Sequence, residues 1–168
     1  MAKKTATLAL LPICLSLVLH ATAAEKSGDI VYIQIDSPAI EANLVGNAAS
    51  RRVFAYLPPS YSEDDKRRYP AVYLLHGASR GNTWPSGYYQ GMFIQNSMDE
   101  LIASGDVGEM ILVMPDTSGG RYTATFYTDS PLTGGFETFL TQELVDHMDR
   151  RYRTLPHAQS RGIAGHST

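Results

Sequence analysis

One cysteine in 168 residues excludes an internal disulfide and a thiolate zinc site. Charge of one sign is also missing. Lys+Arg number 14 against 17 Asp+Glu, a formal net charge of −3, so no basic surplus is present to hold a polyanion and no nucleic-acid partner is expected. Only one long apolar run occurs, from Leu8 to Leu19, and Pro12 and Ser16 interrupt it. A bilayer of ~30 Å requires ~20 apolar residues as helix, so this run makes no stable membrane anchor. No internal repeat and no low-complexity segment interrupts the remainder.

What is present begins with an address. Lys3 and Lys4 precede the apolar run, and Ala21-Thr22-Ala23 offers a small-residue cleavage site after it. Residues 1–24 are therefore expected to be a secretory signal peptide, which places the mature protein outside the cell or in the periplasm. Cys14 leaves with that segment, and a cysteine-free mature chain suits an oxidising compartment.

Residues 25–168 read as strands alternating with helices, the pattern of an α/β domain. Ile30–Ile35 and Arg52–Leu57 alternate apolar and polar positions as half-buried strands do, and Pro58-Pro59 ends the second. Ser62–Arg68 is a charged, solvated turn. Ala71–Leu75 and Met110–Met114 are short continuous apolar runs, the pattern of strands covered on both faces. Phe93–Ala103 carries apolar residues at helical spacing, as does the stretch from Phe136 to Tyr152, which Pro156 prevents from continuing. Arg161–Ala164 supplies a last short strand. Strands alternating with helices predict a mainly parallel sheet with right-handed crossovers.

Two serines compete for a nucleophile's place. Gly165-His166-Ser167 follows the last strand directly, where a sharp strand-to-helix turn with small neighbours would project a hydroxyl. The complete Gly-x-Ser-x-Gly pattern falls elsewhere, at Gly77-Ala78-Ser79-Arg80-Gly81, but Asn82-Thr83-Trp84-Pro85 after it is loop chemistry and launches no helix. Ser167 is therefore the expected nucleophile. His76-Gly77-Ala78, after the third strand, suits a loop that donates a backbone N–H to an oxyanion.

Tyr56-Leu57-Pro58-Pro59-Ser60-Tyr61, Tyr69–Gly77, Trp84, Ile111–Asp116, Phe126–Pro131 and Arg161–Ser167, in this order, resemble the esterase D-like family. That family includes feruloyl and acetyl-xylan esterases, S-formylglutathione hydrolases, enterochelin esterases and mycolyltransferases; secreted bacterial feruloyl and acetyl-xylan types are nearest in character. The resemblance spans about residues 30–168. It implies an α/β-hydrolase fold, a Ser-His-Asp triad, no metal and no cofactor. Carried over, Ser167 is the nucleophile, the Thr168 N–H one oxyanion donor and the Ala78 N–H the other. Thr168 stands where many relatives carry Met, but only its backbone is needed.

In this fold the triad follows the order Ser, acid, His, so the acid and the base are expected beyond residue 168. The five histidines present are poor bases: His20 lies in the signal, His76 and His166 flank glycines, His157 follows Pro156, and His147 reads as a structural helix residue. Asp116 reads as a turn or cleft residue. The chain thus resembles the first half of a hydrolase, ending at its inner strand, and made alone it is expected to aggregate or stay partly folded and to be inactive. Trp84 and Tyr127, with Tyr88, Tyr89, Tyr122 and Phe126, lie in loops suited to a sugar or aryl group. The export signal favours an extracellular polysaccharide ester over a cytosolic thioester. Two alternatives share these residues: an acyltransferase of the mycolyltransferase type, and a non-catalytic secreted binding protein on a hydrolase scaffold.

Overall fold

The computed structural model describes residues 26–77, 94–118 and 125–165. The expected signal segment, Ala78, Ser79, Trp84, Tyr88, Tyr89, Tyr122, His166, Ser167 and Thr168 lie outside the described residues.

The chain runs β1 (Asp29–Asp36), α1 (Pro38–Glu41), β2 (Ser50–Leu57), β3 (Ala71–Leu75), α2 (Ile94–Ser104), β4 (Ile111–Pro115), β5 (Asp129–Ser130), β6 (Gly134–Gly135), α3 (Phe136–Thr138), α4 (Leu144–Arg151) and β7 (Arg161–Gly165). A π-helical turn, Phe139–Glu143, joins α3 to α4 in one helical stretch. Five strands form one sheet in the order β1-β2-β4-β3-β7, and β5 and β6 form a separate hairpin. The parallel crossovers expected from the sequence join β3, β4 and β7. β1 and β2 pair antiparallel, and β2 meets β4 antiparallel as well. The segment 37–49 between β1 and β2 holds only the four-residue α1, too little helix to carry the chain back across a sheet face for a parallel return.

Helices cover both faces, as the apolar runs required. On one side Ile33, Ile35, Val53, Ala55, Tyr73, Ile111 and Val113 pack against Phe136, Phe139, Leu140, Leu144 and Met148 of the long helical stretch. On the other, Tyr56, Leu112 and Met114 pack against Met98 and Ile94 of α2. β4 is buried at every position, whereas β3 alternates buried and half-buried residues. Among the described residues β7 is an outer strand, and its Ile163 is 68% exposed.

Two polar ties fix the helices to the sheet. Glu143 of the π-turn accepts from the Ser37 hydroxyl and, at 3.0 Å, from the Ala39 amide, while Ser37 caps α1 by accepting from the Ile40 amide at 3.2 Å. Asp99 of α2 accepts from the Tyr56 hydroxyl at 2.6 Å and the Gly28 amide at 2.8 Å. Gly28 admits no side chain there: a Cβ would lie 2.4 Å from the Leu57 carbonyl oxygen and 2.5 Å from the Tyr56 ring. Gly28→Ala is expected to lower stability by about 1–3 kcal/mol through overpacking, read as a lower urea midpoint at unchanged slope.

Candidate active site

Parallel pairing brings the carboxyl ends of β3, β4 and β7 to one edge of the sheet, the edge where open α/β sheets bind ligands. Leu75 of β3 stands opposite Gly165 of β7. The chain leaving β3 as His76-Gly77 and the chain leaving β7 toward Ser167 therefore start one strand spacing apart, about 4.8 Å. The sequence placed these two motifs on separate strands; their adjacency comes from the sheet order. Gly165 is confined as well, since a Cβ on it would lie 3.2 Å from Leu75 Cβ and 3.3 Å from the Leu75 carbonyl. A side chain at this position would require Leu75 on the neighbouring strand to give by a few tenths of an ångström.

The segment after β4 closes against this edge. Arg51 and Asp116 are each only 6% exposed. Arg51 donates to the Asp116 carbonyl from Nη2 at 2.7 Å and Nε at 3.1 Å, and to the Ser118 carbonyl at 2.8 Å. Arg52 donates to Asp116 Oδ2 at 2.8 Å, and the Ser118 amide and hydroxyl both donate to Oδ1. This is an Asx-type turn clamped by two arginines, and the carboxylate is consumed by it. Burial alone would push the Asp116 carboxyl up; the Ser118 hydrogen bonds, Arg52 and the charge of Arg51 outweigh it and hold the group below its ordinary value of 3.8. Burial also lowers the Arg51 pKa, against the opposing pull of Asp116.

A depressed carboxyl stabilises the fold above its unfolded pKa, and that contribution disappears as pH falls through the folded value. The urea midpoint of the wild-type protein is thus expected to fall more steeply below pH ~4 than that of Asp116→Asn, because ordinary Asp titrates near 3.9. Parallel pH profiles for the two proteins would contradict this assignment.

The clamped turn presents Thr117 to His76. The Thr117 amide donates to His76 Nε2 at 3.1 Å, the Thr117 hydroxyl lies 3.3 Å from the same nitrogen, and His76 Nδ1 lies 2.8 Å from the Gly77 carbonyl oxygen. Tyr127 donates its hydroxyl to the His76 carbonyl, and its ring stands edge-on to the imidazole at 6.1 Å. Half-buried Tyr127 has its phenol pKa raised by that burial. Phe126 and Tyr127 both take left-handed backbone angles, φ 52° and 53°, a conformation costing roughly 1–2 kcal/mol per non-glycine residue. The Thr125 hydroxyl, 3.1 Å from the Thr117 carbonyl, and the Tyr127 hydrogen bond hold them there. Phe126 is left 67% exposed beside this edge.

The two other histidines among the described residues stand differently. His147 is half-buried on α4, where desolvation and then Arg151 and Arg150 lower its pKa. His157 enters the turn before β7, at the amino end of the strands. Among the described residues no cluster of His, Cys, Asp and Glu is arranged to hold a metal.

The sequence singles out His76, Gly77, Asp116 and Tyr127, which the structure brings together at this edge, but not Arg51 or Thr117, which hold them. A signal existed for Thr117: Pro115-Asp116-Thr117-Ser118 after an apolar strand is turn chemistry.

A mixed sheet with helices on both faces, and two adjacent parallel strands that end at His76-Gly77 and at Gly165 on its carboxyl edge, is the scaffold of an α/β-hydrolase. A ferulic acid esterase structure superimposes with a TM-score of 0.65 at 28% identity, covering 83% of this chain and 49% of its own. A mutant feruloyl esterase module from Clostridium thermocellum, complexed with sinapinate, gives 0.56 at 25% identity, covering 84% and 46%. An endo-1,4-beta-xylanase/feruloyl esterase of Xylanibacter ruminicola is 32% identical over 122 residues, 66% of this chain and 15% of that protein. The chain thus spans about half of each solved structure and a smaller part of the curated relative. It belongs to the esterase family described as "Putative esterase", whose model matches residues 48–168.

Proposed function

We propose that the whole protein is a serine carboxylic-ester hydrolase working through an acyl-enzyme. The observation that supports this reading is the Leu75–Gly165 pairing, which sets His76-Gly77 beside Gly165, two positions before Ser167 in the sequence, at the carboxyl edge. Ser167 Oγ attacks the ester carbonyl carbon and its proton passes to a histidine base. The developing oxyanion is met by the N–H groups of Thr168 and Ala78. The acyl C–O bond then breaks and the alcohol leaves with that proton. Water, deprotonated by the same base, releases the acid and restores the serine. Neither His76, whose ring nitrogens both have partners, nor His157, at the amino end of the strands, is proposed as the base; in this fold the acid and the base follow the nucleophile along the chain.

The proposed substrate is an aryl ester of a plant polysaccharide, with Trp84 and Tyr127 on the acyl side. The names of the relatives, feruloyl and ferulic acid esterases, support this class, and so do the rings of Tyr127 and exposed Phe126 beside the loop. Residues 1–24 are proposed to export the protein; among the described residues no helix is long and apolar enough to cross a membrane. The test is release of free ferulic acid from feruloylated arabinoxylan by the full-length protein. Release is expected; turnover of simple acetyl esters alone would remove the aryl assignment, and no turnover of either would remove the hydrolase.

A further inference from the structure

The helix that covers one face of the sheet stops short of its outer strand. α2 packs on Tyr56 of β2 and on Leu112 and Met114 of β4, and among the described residues no member of β1 joins that cluster. Side chains alternate along a strand, so Ile30, Tyr32, Gln34 and Asp36 line this same face of β1, opposite Tyr56, Phe54, Arg52 and Ser50 of β2. Tyr32 is 55% exposed and Ile30 38%; Gln34 and Asp36 are exposed as well. The Tyr32 ring is nevertheless held in place. It stands edge-on to the Phe54 ring, with centroids 5.4 Å apart and planes at 69°, the arrangement in which aromatic quadrupoles attract.

Polar groups continue the strip. Gln34 Nε2 donates to the Ser50 hydroxyl at 2.7 Å, which in turn donates to Asp36 Oδ1 at 2.6 Å. The Gln34 carbonyl oxygen, its second N–H and the other Asp36 oxygen keep no partner among the described residues. β1 runs antiparallel to β2, and β2 antiparallel to β4, so Asp36 lies toward the carboxyl edge and Tyr32 ~13 Å behind it. At that edge Arg52 holds Asp116 of the clamped turn. The strip is therefore continuous with the candidate active site.

A pyranose ring has an apolar C–H face and a rim of hydroxyls that both donate and accept. Its complement is a fixed aromatic ring followed by planar amide and carboxylate groups. Other occupants match the strip less well. Ile30 and Tyr32 alone supply little of the ~800 Å² per partner that a stable protein interface buries. A second copy adding its β1 in antiparallel register would set Asp29 opposite Asp36, and like charges directly opposite are destabilising. A polyanion would meet Asp36, while the charge of Arg52 is already taken by Asp116.

We propose that this β1–β2 strip is a carbohydrate platform: a neutral polysaccharide chain stacks a sugar ring on Tyr32, hydrogen-bonds to Gln34 and Asp36, and runs from there to the carboxyl edge. This rests on the reading of the substrate as a polysaccharide ester.

The test is affinity electrophoresis of the full-length protein in gels containing arabinoxylan stripped of its esters, with dextran gels as reference. Retardation by arabinoxylan alone is expected for the wild type and for Tyr32→Phe, which keeps the ring. Tyr32→Ala is expected to raise Kd at least about fivefold, the loss of a central aromatic contact. Gln34→Ala leaves both rings in place and should raise it about two- to tenfold, the loss of a hydrogen bond. No retardation of the wild type, equal retardation by dextran, or unchanged Kd in both alanine variants overturns the proposal. So does dimerisation that Tyr32→Ala abolishes without any arabinoxylan binding, which would give the strip to a second copy. Binding of an ester-free polymer needs no nucleophile. Binding without turnover of methyl ferulate would therefore overturn the hydrolase reading and leave the platform standing, whereas turnover without binding would do the reverse.

Discussion

Ser167→Ala in the full-length protein is expected to reduce kcat on aryl and acetyl esters by at least about 10⁴-fold, leaving only the residual acceleration that binding and oxyanion donors supply. Covalent chemistry has no substitute when the nucleophilic oxygen is removed, whereas the fold tolerates the change because alanine is smaller. KM should move little. Ser79→Ala, at the only complete Gly-x-Ser-x-Gly pattern in the sequence, is expected to retain activity within a few-fold. The pair discriminates the two serines directly. Loss in Ser79→Ala with retention in Ser167→Ala would reverse the assignment and move the nucleophile from the strand β7 turn to the strand β3 loop.

The second large effect falls on stability. Asp116→Ala is expected to cost about 3–5 kcal/mol, the penalty for leaving a buried charge without its partner. Arg51 would keep its carbonyl acceptors but lose the carboxylate 3.8 Å from Nη2, Arg52 would lose its 2.8 Å ion pair, and Ser118 would lose both of its acceptor contacts. Asp116→Asn retains an acceptor for Ser118 and should cost clearly less. Urea denaturation of the full-length proteins measures both. A cost below about 1 kcal/mol for Asp116→Ala, the range of exposed ion pairs, would show that the clamp is solvated.

Much of the scaffold was legible in the sequence, for identifiable reasons. Ala71–Leu75 and Ile111–Pro115 are apolar throughout because helices cover both faces of the sheet there, and the helical stretch from Phe136 to Arg151 advertises one buried stripe at helical spacing. Strand order was not legible. β4 inserts between β2 and β3, and nothing local to Ile111–Pro115 encodes which neighbour it will choose. α1 is four residues long and β5 and β6 are two residues each, too short for any periodicity, although Ser37-Pro38 is a helix-start signal that was available.

The site divides the same way. Motifs set by neighbours in sequence, His76-Gly77 and Gly165-x-Ser167, could be read directly. Their supports could not, since Arg51 reaches Asp116 across 65 positions and Thr117 reaches His76 across 41. The long reach of Arg51 also explains why it was missed: an arginine in an alternating strand reads as solvent-facing until the turn that buries it is in place.

The most direct measurement is labelling of the full-length protein with a fluorophosphonate, followed by peptide mapping of the modified residue. An activated serine displaces the probe's leaving group and becomes phosphonylated, whereas an unactivated hydroxyl does not react. Stoichiometric modification of Ser167, with Ser79 untouched, is the result expected of an esterase whose nucleophile leaves β7 beside the His76-Gly77 loop. Modification at Ser79, or no modification of a folded protein, would contradict it.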